Sequence, residues 1–401
     1  MFILLSTLLS FAPWVLADSP VRVRALVPLE SSAAFDQAIT DAVRQFNASQ
    51  SKYRVELMRA SGTFQGLRNI IASHYAHDLP DLALVNEADL TTLNLLGILK
   101  PLPEKWLAGK KFLSTLLSKT KCAAAACSVP FQRRVAVWYF NRELLFKFNL
   151  ETEKISTNWA ALSAFSHRLN KKTATDGNGK VWGLAIPVTG EFTIARWSAL
   201  GLDLNGSPAE KSAGWIQKMW SNTGSWLPGL PTVEEATRRF IEQKTGFLLG
   251  SLDQWPYLKT GVSFKLGTAL PEGELSWFGT DFVVMTGVEN QAAGAREFLD
   301  FLYQPETSLT LFRAVSTLPV SQSYLTHASW KKEIAEWPLL KAATGRKLKP
   351  SFLGKIPPQV RDEWADVVWQ AVESDLSVTK RGPKAAELRA TLEKLLSSNP
   401  R

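Results

Sequence analysis

Glu87 is the first side chain in the sequence placed to do chemistry. It follows Leu82-Ala83-Leu84-Val85-Asn86, an apolar run that reads as a strand, and it opens a stretch to Leu96 with helical spacing. A carboxylate just past the carboxyl end of a parallel strand sits where doubly wound sheets place their ligands, and it can accept hydrogen bonds from two hydroxyls of a polyol. The same carboxylate also suits the positive end of a helix. Arg361, in Gln359-Val360-Arg361-Asp362-Glu363, offers a fixed fork of donors for phosphate or carboxylate, or a surface ion pair with its own neighbours. Gln132-Arg133-Arg134 adds two guanidinium groups in an extended segment. Neighbours in a strand face opposite ways, so one of the two must point away, and we assign Arg133 to the ligand side. Trp255, Trp277 and Phe278 supply aromatic faces for the apolar side of a solute, with Trp277 preferred.

Catalytic constellations are not legible. The chain has 4 His. His74 and His77, near Asp78 and Asp81, could present metal ligands at a helix end, but two histidines at that spacing usually mark a helix surface, and no metal is expected. His167 and His327 lie in unrelated segments, and no G-x-S-x-G, H-E-x-x-H, P-loop or dinucleotide fingerprint occurs. Glu234-Glu235 reads as helix surface and gives glycoside hydrolysis no support. Neither a catalytic residue nor a cofactor is expected. The 2 cysteines, Cys122 and Cys127, can close a small disulfide loop in an oxidising compartment if their Cα atoms come within about 7 Å; two buried thiols are the alternative.

The elements that must position these groups alternate. Val21 to Val27 reads as a strand, and Phe35, Ile39, Ala42, Val43 and Phe46 as a helix face. Tyr53 to Met58 is a second strand, Phe64 to Tyr75 a second helix, and Leu82 to Val85 a third strand, so this part predicts a parallel sheet covered by helices. A further set follows: strands at Val135 to Phe140, Val181 to Val188, Gly246 to Leu249 and Phe282 to Met285, and helices at Arg142 to Phe148, Trp159 to Leu169, Val233 to Gln243 and Ala292 to Tyr303. Pro305 starts another helix as its first residue, and the chain from Pro357 onward reads as helical. No flexible tether separates the two sets. The chain is therefore expected to cross between two lobes more than once through short strands that form a hinge.

Length and charge agree with this picture. At 401 residues and 45% apolar content the chain can build more than one core. The net charge of +9 is spread along the chain without a basic block, which disfavours nucleic-acid binding. The 15 Trp are many, and most of them must be core. Met1 to Leu16, closed by Val15-Leu16-Ala17 before Asp18, fits a cleaved export signal, so residues 1–17 are expected to be a signal peptide and the mature protein to be periplasmic.

Val129-Pro130-Phe131 followed by Val137-Trp138-Tyr139-Phe140-Asn141, the run Ala295-Arg296-Glu297-Phe298-Leu299-Asp300-Phe301-Leu302 with Gln304-Pro305-Glu306, and Leu318-Pro319-Val320 occur in the order found in group 1 extracellular solute-binding proteins. The chain resembles that family over essentially its whole mature length. Its tail, Leu353-Gly354-Lys355-Ile356-Pro357-Pro358-Gln359-Val360-Arg361, is similar to the subgroup that binds glycerol 3-phosphate. The resemblance implies an α/β two-lobed binding fold, each lobe a doubly wound sheet, with residues 18–130 plus 281–317 in lobe 1 and 131–280 plus 318–401 in lobe 2. It also implies a monomer that closes on a small polar solute and hands it to the membrane subunits of an ABC importer. By that likeness Arg361 would contact a phosphate, Glu87 would hold hydroxyls, and Gly279 and Ser251 would contact the solute. Phe64 and Thr317 stand where the subgroup has tyrosines, and Gln132-Arg133-Arg134 where it has small hydroxylic residues, so the ligand is left open. A sensor module of the same fold and a secreted hydrolase are the alternatives.

Overall fold

The computed structural model describes residues 19–28, 33–60, 67, 69–71, 73, 78–150, 157, 159–173, 181–187 and 232–351. Strand β1 (Val21–Pro28) leads into helix α1 (Ala33–Ser49), and β2 (Tyr53–Ala60) returns parallel to β1. Phe35, Ile39, Ala42, Val43 and Phe46 form one buried stripe of α1; side chains of this size contribute about 1.5–3 kcal/mol each when fully buried. Strand β3 (Leu82–Asn86) is buried throughout, as a strand covered on both faces must be. It runs into a 3-10 turn, Glu87–Asp89, and then α2 (Leu90–Leu95) and α3 (Glu104–Gly109).

A two-residue pairing, β4 (Lys121–Cys122) with β5 (Ala125–Ala126), precedes the long strand β6 (Ser128–Asn141). Cys122 and Cys127 are joined in a disulfide with their Cα atoms 5.6 Å apart. Then come α4 (Arg142–Lys147), α5 (Trp159–Thr173), β7 (Trp182–Ala185), α6 (Val233–Ile241), β8 (Thr245–Ser251), a 3-10 turn at Leu252–Gln254, α7 (Trp255–Gly261), β9 (Leu266–Ala269) and β10 (Leu275–Val284). The described part ends with α8 (Glu289–Leu302), α9 (Pro305–Val315), α10 (Gln322–Thr326), α11 (Ala328–Glu336), α12 (Pro338–Thr344) and β11 (Leu348–Pro350). Pro305 is the first residue of α9, where its missing N–H costs nothing. Among the described residues no helix is long and apolar enough to cross a membrane.

The strands form one sheet in the order β2-β1-β3-β10-β6-β8-β7, with β11 beside β10 and β9 beside β6. Its two ends are separate α/β lobes, and the middle is a ribbon shared by both. Residues 128–135 of β6 pair antiparallel with β10, whereas 136–141 pair with β8 and β9. β10 in turn uses Thr280 to Val284 against β3. Each passage between lobes is thus brief, although the strands containing them run 14 and 10 residues. A third segment lies along the ribbon after α9, where the Leu318 amide donates to the Arg133 carbonyl at 2.7 Å. The expected helix at 64–75 falls largely, and that after Pro357 wholly, outside the described residues.

Candidate functional site

Two equivalent units face the ribbon, one from each lobe. In the first, β3 ends at Asn86, whose side-chain oxygen accepts from the Ala88 amide at 3.0 Å and turns the chain into the 3-10 segment carrying Glu87 and Asp89. In the second, β8 ends at Ser251, which makes a capping box with Gln254, and the 3-10 segment carries Asp253. Strand, cap, 3-10 turn and helix follow in the same order both times. Each strand lies beside one of the two ribbon strands: Asn86 is in register with Thr280 of β10, and Ser251 with Ala136 of β6. The ends of two strands from two lobes therefore deliver polar caps and carboxylates to the same short stretch of ribbon, the position of a ligand in doubly wound sheets.

Glu87 is 8% exposed and sits in that first turn. Ser251 is buried, and its hydroxyl donates to the Asp253 carboxylate while its amide donates to Gln254 Oε1 at 2.9 Å. Gly279 lies mid-ribbon opposite Arg133, and a Cβ there would fall 1.9 Å from the Gln132 carbonyl oxygen, so the two strands can approach this closely only with glycine. Thr317 follows Ser316, the left-handed cap of α9 (φ 50°), and it lines a 20 Å³ cavity together with Gln132, Ser308 and Tyr324. Phe64, Arg361, His74 and His77 lie outside the described residues. Among those described, no three His, Cys, Asp or Glu side chains gather as a metal site would require.

Alternation sorts the ribbon into two faces. Arg133, Trp277 and Asp281 share one. The Arg133 guanidinium pairs with Asp281 at 2.5 Å, donates to the carbonyls of Leu116 (2.9 Å) and Thr280 (2.7 Å), and lies 4.2 Å from the centre of the Trp277 ring. Asp281 also accepts from the Ser128 hydroxyl at 2.6 Å, and the Trp277 indole donates to the Thr115 carbonyl at 2.8 Å. Arg133 and Trp277 are fully buried with these protein groups as partners. The assignment of Arg133 to the ligand side is thereby corrected: its charge is consumed by Asp281, and the Trp277 face is covered by Arg133. Nearby, the Tyr303 hydroxyl donates to the Pro130 carbonyl at 2.7 Å; burial first, then the Tyr324 phenol and the Asp281 carboxylate, push its pKa well above the ordinary value.

The opposite face carries Gln132, Arg134, Phe278 and Thr280. Arg134 donates to Gln132 Oε1 at 2.7 Å and pairs with Asp253 at 3.3 Å, which ties the ribbon to the turn of the second unit. Arg134 and Asp253 were not among the residues the sequence singled out as contacts. The available signal was the bare alternation of Arg133 and Arg134, which says that they differ without saying which one faces inward.

Comparison with known proteins agrees with this architecture. Over 314 residues the chain is 20% identical to the sn-glycerol-3-phosphate-binding periplasmic protein UgpB of Shigella flexneri, covering 70% of each. Among solved structures it is similar to UgpB of Mycobacterium tuberculosis in complex with glycerophosphocholine, with a TM-score of 0.72, 14% identity and coverage of 95% of this chain and 98% of that one. The GacH receptor of Streptomyces glaucescens, solved unliganded and with acarbose, gives a TM-score of 0.72 at 15% identity, covering 95% and 100%. Residues 41–342 match the family of bacterial extracellular solute-binding proteins, and with most of its length inside that match the chain belongs to this family.

Proposed function

We propose that the protein captures a small polar solute between its lobes in the periplasm and presents it, by closing about the ribbon, to the membrane subunits of an ABC importer. One observation carries this reading: two strand–turn–helix units from different lobes converge on one ribbon that can bend between them. The solute belongs to the sugar, polyol or glycerol-phosphate class, as the names of the Shigella, Mycobacterium and Streptomyces relatives suggest. Glu87 accepts its hydroxyls, Ser251, Gly279 and Thr317 line the walls, and Phe64 and Arg361 complete the site. The lobes divide as 18–130 with 281–317 and 131–280 with 318–401, after removal of residues 1–17. The protein works as a monomer, without nucleic acid and without catalysing a reaction.

Closure follows from the polar surface that both lobes expose when apart. A bridging solute replaces the water those groups lose, and the closed population rises by the difference in affinity for the two forms. A thermal-shift screen with glycerol 3-phosphate, glycerophosphocholine, maltodextrins and polyols tests the reading. A solute at a hundred times its Kd stabilises the native state by about 2.7 kcal/mol, which raises the melting temperature measurably. A flat response across all four classes would remove the proposal.

A further inference from the structure

The ribbon face that carries Arg134 also carries two polar groups that no residue satisfies. Gln132 is 1% exposed and its Oε1 accepts from Arg134, which fixes the amide: the other end, Nε2, has no hydrogen-bond partner. The amide cannot be turned over, because its NH2 would then face the guanidinium donors. Thr280 is fully buried, and its Oγ1 has no partner either. The two residues are direct register partners on β6 and β10, and Thr280 is also the partner of Asn86, the cap next to Glu87. Directly opposite residues of an antiparallel pair share a face. A buried donor and a buried hydroxyl, side by side and unmet, are costly to leave so.

From this juxtaposition we infer that Gln132 and Thr280 form an unassigned subsite that hydrogen-bonds an uncharged hydroxyl of the solute, Gln132 Nε2 donating to its oxygen and Thr280 Oγ1 exchanging a hydrogen bond with the same group. The inference rests on the solute-binding reading and deepens it. The charge balance of the ribbon explains why the group is uncharged. Arg133 is neutralised by Asp281, and Arg134 is paired with Asp253, so the two orphaned dipoles are what the ribbon has to offer. A neutral amide and a hydroxyl suit a sugar or polyol hydroxyl, whereas a phosphate would draw on a guanidinium. Gln132 also borders the 20 Å³ cavity shared with Thr317, so packing at this end of the row is incomplete, with room for about one water.

Two variants separate this subsite from ordinary packing. Thr280→Val keeps the shape and removes the hydroxyl. Gln132→Glu keeps the oxygen that faces Arg134 and removes the donor. The probes are glycerol 3-phosphate, glycerophosphocholine and maltose, read by thermal shift and calorimetry on the full chain. Expected is binding of at least one probe to the unaltered protein, weakened about tenfold by each variant, with Thr280→Val at least as heat-stable as the parent when empty. Parent-like affinity in both variants, with a more stable empty Thr280→Val, means that the pair holds only an ordered water, and overturns the subsite while leaving the solute-binding reading intact. No response of the unaltered protein to any probe overturns that reading, and the subsite with it.

Discussion

At the scale of single residues, the ribbon face chosen by each arginine decides its work. The sequence shows that Arg133 and Arg134 must diverge, since neighbours in a strand do so. It does not show which turns toward the solute, because that depends on register, and the pairing of β6 with β10 slips between Thr280 and Asp281 so that Phe131 has no partner. Arg133 is therefore part of the molecule's fastening. Removing one partner of such a buried pair strands the other charge, so Arg133→Met should destabilise the protein by about 3–5 kcal/mol in denaturant unfolding, far more than loss of a surface ion pair. Gly279→Ala should cost about 1–3 kcal/mol, the usual range for overpacking, because the added carbon meets the Gln132 carbonyl. Glu87→Gln should weaken solute binding about tenfold in calorimetry. Tyr303 supplies a pH test. Its native pKa is raised, so the neutral phenol favours the folded state fully below the unfolded value near 10, and that contribution is lost as pH climbs from there toward the native value. Alkaline denaturation should therefore begin near pH 10, and Tyr303→Phe should flatten it.

At the scale of elements, hydrophobic periodicity was a good guide where one face is buried, and a poor one where the chain crosses between lobes. The stripe from Phe35 to Phe46 and the runs at 21–27 and 82–85 mark elements that the structure contains. The first half of β6 was read as extended but not as buried: Pro130 followed by Gln132-Arg133-Arg134 lacks an apolar run, yet all of it but Phe131 is buried, its polar groups mostly met by Asp281, Asp253 and backbone carbonyls. The first residues of β10 were missed as a strand for a related reason, since Ser276 and Gly279 interrupt the apolar run. The hairpin of β4 and β5 closes on the Cys122–Cys127 bridge with a sequence separation of 5. Chain-entropy arguments give a loop this short about 2 kcal/mol, so reduction under native conditions should lower the unfolding free energy by about that amount, measured with and without dithiothreitol.

At the scale of the whole molecule, the two-lobed plan was legible because its signals are long-range and repeated: strands and helices alternating twice with no tether between them. The candidate site was only partly legible. Glu87, Ser251 and Gly279 lie at strand ends or on the ribbon, where topology gathers them, while Arg134, Asp253 and the Gln132–Thr280 pair emerge only once register is known. If closure moves the lobes as units, the stretch between Val135 and Ala136, where β6 changes partners, should be where backbone angles differ most between empty and solute-bound forms. Small-angle scattering should then show a smaller radius of gyration on adding a solute that raises the melting temperature.

The place of β10 in the sheet also governs the order of assembly. It inserts between β3 and β6, which lie nearly two hundred and well over one hundred residues earlier in the chain. A growing polypeptide therefore cannot complete the sheet of its first lobe until Val284 is out, and meanwhile β3 and β6 keep open edges. Such long-range pairing makes folding slow and leaves sticky intermediates. Nascent chains arrested before Leu275 should be digested readily by protease, with resistance appearing only in those that extend past α8.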